Sequence, residues 1–155
     1  MCLINSLCRG FLTQRYGTES SLKSTNNSGT VAKTLVTALG NMPNPPVVVA
    51  ISSTGILSTR DLLPLPLKPL YRTLLHKPHE DKIEMENVIS QKYAEGKWII
   101  IRGALYKDGE RTGKYRVGET EVGYTIRRKD VADFIVRECI DGDGKWLGKR
   151  PVVVY

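Results

Sequence analysis

Two short runs of continuous apolar residues constrain the fold of this 155-residue chain more than any other feature. The first, VVVAI at 47–51, follows a turn with three prolines, and the second, WIII at 98–101, follows a glycine. Runs of this length, rich in β-branched residues and bounded by breakers, are typical of strands buried on both faces. A helical pattern at 78–93 separates them. Strand, helix and strand in this order predict an α/β fold with a parallel sheet.

Three helices and two further strands are expected around these runs. The first helix is capped by Ser28 and ended by Gly40, the second covers 78–93, and the third covers about 129–140. An edge strand is predicted at 114–117 and a last strand at 152–155. The side chains expected to face the core are Val31, Leu35 and Leu39 in the first helix, Met85, Val88 and Ile89 in the second, and Val131, Ala132, Ile135, Val136 and Cys139 in the third.

The charge of the chain argues against a nucleic-acid partner. The net charge is +7, from 23 Lys and Arg against 16 Asp and Glu. The longest basic cluster, RRK at 127–129, is followed directly by Asp130, whereas nucleic-acid-binding proteins concentrate basic residues on one element with aromatics among them. Three cysteines without a CxxC pattern exclude a zinc knuckle and a disulfide scaffold, and they favour a reducing compartment.

The first 30 residues bear on location. They are rich in Ser and Thr and carry Arg9 and Arg15 with one acid, which loosely fits a mitochondrial presequence. Gly10 and Gly17 interrupt an amphipathic helix there, and no secretory pattern is found. A cytoplasmic protein is therefore expected, with a mitochondrial one as the alternative. No window approaches 18 consecutive apolar residues, so no membrane-spanning helix is expected.

A cleft is predicted where the two buried strands end. Ser52, Ser53 and Thr54 follow the first strand, and residues 102–105 follow the second. Ligands of open α/β sheets bind beyond the carboxyl ends of the strands, so these residues are expected to lie at the ligand site. An apolar segment at 61–78, interrupted by prolines, is expected to be a packed loop beside the same cleft.

Motifs for phosphate and metal binding are weak. The sequence contains no GxGxxG dinucleotide fingerprint and no GxxxxGK[ST] loop. The glycine-rich segment 142–148 follows a helix and precedes a strand, so it is interpreted as a turn. His76 and His79 lie three residues apart, but a metal needs further ligands converging from elsewhere, and no metal site is expected.

Charged residues of the second helix lead to two different expectations. Glu84 and Glu86 are two residues apart and are expected on a solvated face. Lys82 lies beside the apolar stripe, where an ammonium is costly unless it is paired. Either its stem snorkels to water or its head reaches the cleft, and the sequence leaves both alternatives open.

Four segments resemble successive landmarks of a known family. They are VVVAISSTGI at 47–56, KPHEDKIEME at 77–86, WIIIRGALYKDGERTGKYRVG at 98–118 and GYTIRRKDVADFIV at 123–136. The family is the atypical short-chain dehydrogenase/reductase group: NmrA-like, NAD(P)H-binding proteins that include the flavin reductase/biliverdin reductase B type. The resemblance is specific in order and spacing as well as in composition.

The extent of the resemblance implies a partial domain. The family has a Rossmann fold whose glycine fingerprint follows its first strand, and the match here begins near the fourth strand. Residues 28–155 thus resemble the carboxyl-terminal part of a Rossmann-like domain, a parallel sheet with flanking helices that lacks the amino-terminal half carrying the dinucleotide fingerprint. Residues 1–27 form a separate amino-terminal segment, in which 2–11 (CLINSLCRGF) loosely resembles the fourth strand and its loop.

The resemblance also implies roles for individual residues. Ser53 falls on the serine that follows the fifth strand and contacts the nicotinamide or the substrate. Lys82 falls on the lysine of the active-site helix, which steadies the nicotinamide ribose. Ser53 and Lys82 are therefore the expected catalytic residues, and NADP or NAD is the expected cofactor. The expected cofactor-binding residues are Ser52, Ser53, Thr54, Lys82, Arg102, Gly103, Ala104 and Leu105.

Three positions depart from the family pattern. Pro78 stands four residues before the lysine, where classical members have the tyrosine of a Tyr–Lys proton relay. Gly103 stands where the family has proline, and Arg127 replaces a small hydroxyl residue that would cap the third helix. The first of these departures removes a proton donor from the expected site.

Two functions remain open at this point. The first is a reductase that, in its full-length form, transfers a hydride from NAD(P)H to a flavin or similar small aromatic acceptor, which 62–75 would cover. The alternative is a non-catalytic dinucleotide sensor or protein-interaction remnant, which the missing fingerprint and Pro78 favour. The apolar segment 2–7 is expected to form an exposed sheet edge through which the chain self-associates.

Overall fold

A computed structural model of the chain describes residues 27–56 and 76–155. Two long helices alternate with the two predicted strands, and shorter elements follow. In chain order these are α1 (Asn27–Gly40), β1 (Val48–Ser53), α2 (His76–Lys92), β2 (Trp98–Gly103), β3 (Leu105–Lys107), β4 (Arg116–Gly118), β5 (Thr125–Arg127), α3 (Arg128–Phe134), a π-helical segment (Ile135–Ile140) and β6 (Val152–Val154).

The main sheet has the strand order β1-β2-β6-β4. β1 and β2 are parallel, with Val48 opposite Trp98 and Ser53 opposite Gly103, and β6 runs parallel to β2. β4 pairs with β6 in the antiparallel direction and is the last strand on this side of the sheet in the described part of the chain. A second sheet pairs β3 with β5 in parallel. The predicted α/β fold with a parallel sheet and flanking helices is confirmed, with one antiparallel strand added at its edge.

Alternate residues of β2 divide the core into two layers. Trp98 and Ile100 pack with α1, α2 and Val48 on one face. Ile99 and Ile101 pack with α3, the π-helical segment and Trp146 on the other face. Every residue of β2 is buried, as expected for a central strand with helices on both sides.

β1 is less buried than its composition predicts. Val48 is buried, but Val49, Ala50 and Ile51 are only half-buried. The expectation that this strand is buried on both faces is therefore wrong for its middle. Among the described residues β1 has β2 as a neighbour on one side alone, whereas β2 lies between β1 and β6.

The first and third helices bury some of the expected residues and not others. Val131 and Ile135 are buried as predicted, and Leu35 and Leu39 are half-buried against the core. Val31 is 42% exposed, and the buried positions of α1 are Ala32 and Val36. In the third helix the geometry changes from α to π at Ile135, and Phe134 is fully buried while Val136 is exposed. Ala132 is also exposed.

Asp81 of α2, and not Ser28, caps the first helix. The backbone N–H groups of Ser28 and Gly29 donate to the Asp81 carboxylate at 3.1 and 3.0 Å. Ser28 lies within the first turn of α1, so the expectation that it is the cap residue is wrong. An acceptor from a neighbouring helix satisfies these amides and ties α1 to α2.

Several expectations concern residues outside the described part of the chain: the edge-forming segment 2–7, the strand-like resemblance of 2–11, the acceptor-covering segment 62–75 and the packed loop over 61–75. These stay predictions, as does self-association through that edge. Residues 76–78, expected in the loop, belong to the first turn of α2 instead. Within the described ranges, no helix combines the length and the apolarity that a membrane-spanning segment needs. The same part of the chain brings no three His, Cys, Asp or Glu side chains together as metal ligands.

Candidate functional site

The carboxyl ends of β1 and β2 meet at one edge of the sheet. We call this the carboxyl edge and define it as residues 52–54 and 102–105. The two segments are joined there by a hydrogen bond from the Thr54 N–H to the Gly103 carbonyl, at 2.9 Å. The parallel pairing of the strands thus brings the backbones of 52–54 and 102–105 together at one edge of the sheet.

Two hydroxyl groups at the carboxyl edge are buried and have no hydrogen-bond partner in the described part of the chain. Ser52 and Thr54 are 1% and 6% exposed, and neither hydroxyl makes a hydrogen bond with any described residue. The hydroxyl between them, on Ser53, donates to the Thr54 carbonyl at 3.1 Å, and Ser53 is half-buried. A buried hydroxyl without a partner carries a desolvation cost, so these two groups are available to a ligand that supplies hydrogen bonds.

Lys82 reaches the carboxyl edge from α2. Its Nζ donates to the Ile51 carbonyl at 3.1 Å, immediately before the Ser52–Thr54 segment. Burial lowers the pKa of the Lys82 ammonium, and the carboxylates of Asp81 and Glu86 oppose this effect. Of the two alternatives that the sequence left open, the structure therefore has the head of Lys82 at the edge, on the strand that carries Ser53.

Arg102 points away from the edge into a buried ion pair. Its Nη2 lies 2.6 Å from Oε2 of Glu86, and both side chains are at most 1% exposed. Arg150 approaches the same oxygen at 3.4 Å and stacks on Trp98, with its Cζ 5.0 Å from the ring centroid. The expectation that Glu86 is solvated is wrong, because the carboxylate balances two guanidinium groups beneath the edge. A cofactor contact for Arg102 stays a prediction.

Tyr106 also contributes to the edge, although the sequence pattern did not single it out. Its hydroxyl accepts a hydrogen bond from the Gly103 N–H at 3.0 Å and donates to the Ser52 carbonyl at 2.6 Å. A Cβ on residue 103 would overlap the Tyr106 phenol, so Gly103 makes room for this ring. Nothing in the sequence reveals this contact, because it depends on the chain turning back between Gly103 and Tyr106.

The other two residues predicted to contact the cofactor, Ala104 and Leu105, follow β2 and differ in burial. Ala104 is 2% exposed and packs with Val152 and Val154 of β6. Leu105 begins β3, and its N–H donates to the Tyr124 carbonyl at 3.2 Å. A separate groove of about 490 Å³ lies along α1 and α2, with Lys33 and Glu84 in its wall. None of the predicted site residues lines that groove.

Comparison with known proteins gives this geometry a family context. The model of the NAD(P)H-binding family matches residues 16–141. Reductase pytE of Aspergillus terreus is 32% identical to the chain, over 71% of the chain and 48% of its own length. The chain spans about half the length of the curated relatives that it matches.

Solved structures share the fold at lower sequence identity. A short-chain dehydrogenase/reductase of Veillonella parvula, solved in complex with NADP, superposes with a TM-score of 0.67 at 17% identity, covering 85% of this chain and 60% of its own. ChuY, an anaerobillin reductase of Escherichia coli O157:H7, superposes with a TM-score of 0.57 at 15% identity, covering 84% of this chain and 72% of its own. At these identities the likeness concerns the fold.

Proposed function

The chain belongs to the NAD(P)H-binding family, and from that premise we propose that its carboxyl edge holds the nicotinamide end of NADP or NAD for hydride transfer to a flavin or similar aromatic acceptor. The observation that carries this proposal is the pair of buried hydroxyls on Ser52 and Thr54, for which residues 27–56 and 76–155 supply no hydrogen-bond partner. A carboxamide both donates and accepts hydrogen bonds, so the carboxamide of a nicotinamide fits such a pair.

Lys82 and Ser53 have distinct roles in this proposal. Lys82, held on the Ile51 carbonyl, donates hydrogen bonds to the ribose hydroxyls next to the nicotinamide. Ser53 orients the reacting groups through its hydroxyl. The protein supplies position and exclusion of water, while bound NAD(P)H supplies a hydride. The acceptor takes that hydride and one proton from solvent, so it gains the two electrons that the nicotinamide loses.

The family resemblance and the names of two similar proteins support a reductase, whereas a further relative, oxidase pynE of Aspergillus niger, is named an oxidase. Reductase pytE and the anaerobillin reductase ChuY are named for reductions. The 155 residues contain no dinucleotide fingerprint, so affinity is expected to come from the nicotinamide half of the cofactor. In this proposal residues 28–155 act as the carboxyl-terminal part of a Rossmann-like domain in the cytoplasm, after a separate segment, 1–27.

A dinucleotide sensor is the second candidate, and one position favours it. Pro78 stands where a Tyr–Lys relay would place its tyrosine, so the relay has no phenol at that position. A sensor keeps the contacts of Ser52, Thr54 and Lys82 with the cofactor and transfers no hydride. The two candidates therefore agree on binding and differ on turnover.

Consumption of NADPH with a flavin or quinone acceptor separates the two candidates. The full chain is mixed with NADPH and acceptor, and loss of the reduced cofactor is followed by absorbance. Turnover that Ser53→Ala reduces at least about tenfold supports the reductase, since placement of reacting groups affects rates by factors of this size or more. Binding without turnover supports the sensor, and absence of binding overturns both.

A further inference from the structure

The hydroxyl of Tyr106 bridges the two strands at the point where the proposed site begins. It accepts from the N–H of Gly103 on β2 and donates to the carbonyl of Ser52 on β1. It thus joins the two halves of the carboxyl edge through a side chain that comes from the next short strand, β3. Its partner atoms are backbone atoms, so the bridge fixes the backbone at both strand ends.

Three consecutive residues of β1 connect this bridge to the proposed catalytic groups. Ile51 accepts the hydrogen bond from Lys82, Ser52 accepts the one from Tyr106, and Ser53 carries the reactive hydroxyl. The Ser52 carbonyl lies in the peptide plane that joins Ser52 to Ser53, so its placement sets the position of the Ser53 backbone. The preceding plane contains the Ile51 carbonyl that holds Lys82, and the two planes meet at the Ser52 Cα.

We propose that Tyr106 is a positioning residue, which sets the placement of Ser53 and Lys82 by tying the Ser52 carbonyl to the Gly103 amide. This inference rests on the proposed function for its effect on the cofactor, and it goes beyond it by assigning a role to a residue that contacts neither reacting group. Gly103 belongs to the same device, because any Cβ there overlaps the phenol and a proline would also remove the N–H donor.

The chain contains a matched control at the opposite end of the same strand pair. The Tyr93 hydroxyl donates to the Pro46 carbonyl, also at 2.6 Å, just before β1 begins. Tyr93→Phe removes one phenol hydrogen bond to a backbone carbonyl, and Tyr106→Phe removes such a bond together with the acceptor of the Gly103 N–H. A purely structural role predicts a loss of stability from each variant and no change in NADPH affinity from either.

The test combines a measurement without cofactor and one with it. In two-dimensional amide NMR spectra of the full chain, Tyr106→Phe is expected to shift the resonances of Gly103, Ser53 and Thr54, and Tyr93→Phe is expected to leave them in place. In calorimetric titration with NADPH, Tyr106→Phe is expected to raise the dissociation constant about three- to tenfold, the factor that corresponds to loss of one hydrogen bond. Tyr93→Phe is expected to leave it unchanged.

Each outcome decides the proposal. Equal effects of the two variants on NADPH binding, or unmoved Ser53 and Thr54 amides in Tyr106→Phe, overturn the positioning role. If the wild-type chain does not bind NADPH, the proposed function fails, and the amide shifts alone decide whether Tyr106 positions the edge. Should Tyr106→Phe not fold, Gly103→Ala displaces the phenol by its added Cβ, and the same amide shifts are expected.

Discussion

Arg102 and Glu86 form a doubly hydrogen-bonded ion pair that is buried beneath the carboxyl edge. Nη2 and Nε of Arg102 lie 2.6 and 3.1 Å from the two carboxylate oxygens of Glu86. Arg150 adds a second guanidinium at 3.4 Å, so one buried carboxylate balances two positive charges. The pair links α2, which carries Lys82, to β2, which carries Gly103.

Loss of the Glu86 charge is expected to destabilise the protein strongly. Glu86→Gln removes the negative charge from the buried pair with Arg102, and breaking a buried pair in this way costs about 3–5 kcal/mol. The matched control is Glu84→Gln, because the Glu84–Lys33 pair is exposed and such pairs contribute at most about 1 kcal/mol. Urea unfolding followed by circular dichroism measures both. Similar small losses for the two variants would contradict the buried pair.

The stability of the protein in acid is expected to depend on Asp130. Burial opposes ionisation of this carboxyl, but hydrogen bonds from Tyr155, Gly113 and Thr112 outweigh it and hold the Asp130 pKa below its usual value. A carboxyl whose pKa is lowered by folding stabilises the native state above its unfolded pKa. That contribution is lost as the pH falls through the folded value.

Asp130→Asn isolates this contribution. The variant is expected to be less stable at neutral pH by about 1–3 kcal/mol, the cost of weakening hydrogen bonds to a buried group. Its free energy of unfolding is also expected to fall less steeply than that of the wild type as the pH drops below about 4. The measurement is a series of urea melts at decreasing pH, and parallel curves for the two proteins would show that Asp130 is not responsible.

The junction of α1 with α2 is expected to depend on Asp81. Asp81→Ala leaves the N–H groups of Ser28 and Gly29 without their acceptor, and loss of such a cap costs about 1 kcal/mol. Asp81→Asn keeps one carbonyl oxygen as acceptor and should lose less. Thermal unfolding of the three proteins gives the comparison, and an Asp81→Ala protein as stable as the wild type would argue against the cap.

Several parts of this structure could be predicted from the sequence because one local signal decides them. The run at 98–101 is apolar throughout, and a strand with helices on both faces needs that composition. The predicted core-facing residues of α2 are confirmed, since Met85, Val88 and Ile89 are all buried. Ser52–Thr54 could be assigned to the same edge of the sheet as 102–105, because the carboxyl ends of neighbouring parallel strands meet there.

The errors come from features that a local pattern does not contain. Apolar residues spaced by four drift around a helix that has 3.6 residues per turn, so this spacing does not fix which face of the helix is buried. In α1 the buried residues are Ala32 and Val36, while Val31 is exposed. The π-helical segment changes which residues face the core after Phe134. The Glu86–Arg102 pair and the Tyr106 bridge depend on tertiary contacts that no spacing encodes.

Alkaline conditions are expected to reveal the lowered pKa of Lys82. Its pKa is lowered by burial from the ordinary value of 10.5. Between the folded pKa and 10.5 the unfolded chain holds a proton that the folded chain has released, so the stability of the wild type rises with pH across that range. Lys82→Met should lack this rise, whereas Lys92→Met, which alters an exposed lysine of the same helix, should keep it. Urea melts at increasing pH compare the three.

Direct titration of the full chain with NADPH tests the central claim that the carboxyl edge is a nicotinamide site. Calorimetry is expected to show saturable binding of NADPH by the wild type and by Lys92→Met. The dissociation constant of Lys82→Met is expected to be at least about tenfold higher, because hydrogen bonds from a charged donor contribute about 1.5–3 kcal/mol. Wild-type binding that Lys82→Met leaves unchanged, or no binding up to about 1 mM NADPH, would contradict the assignment of this edge.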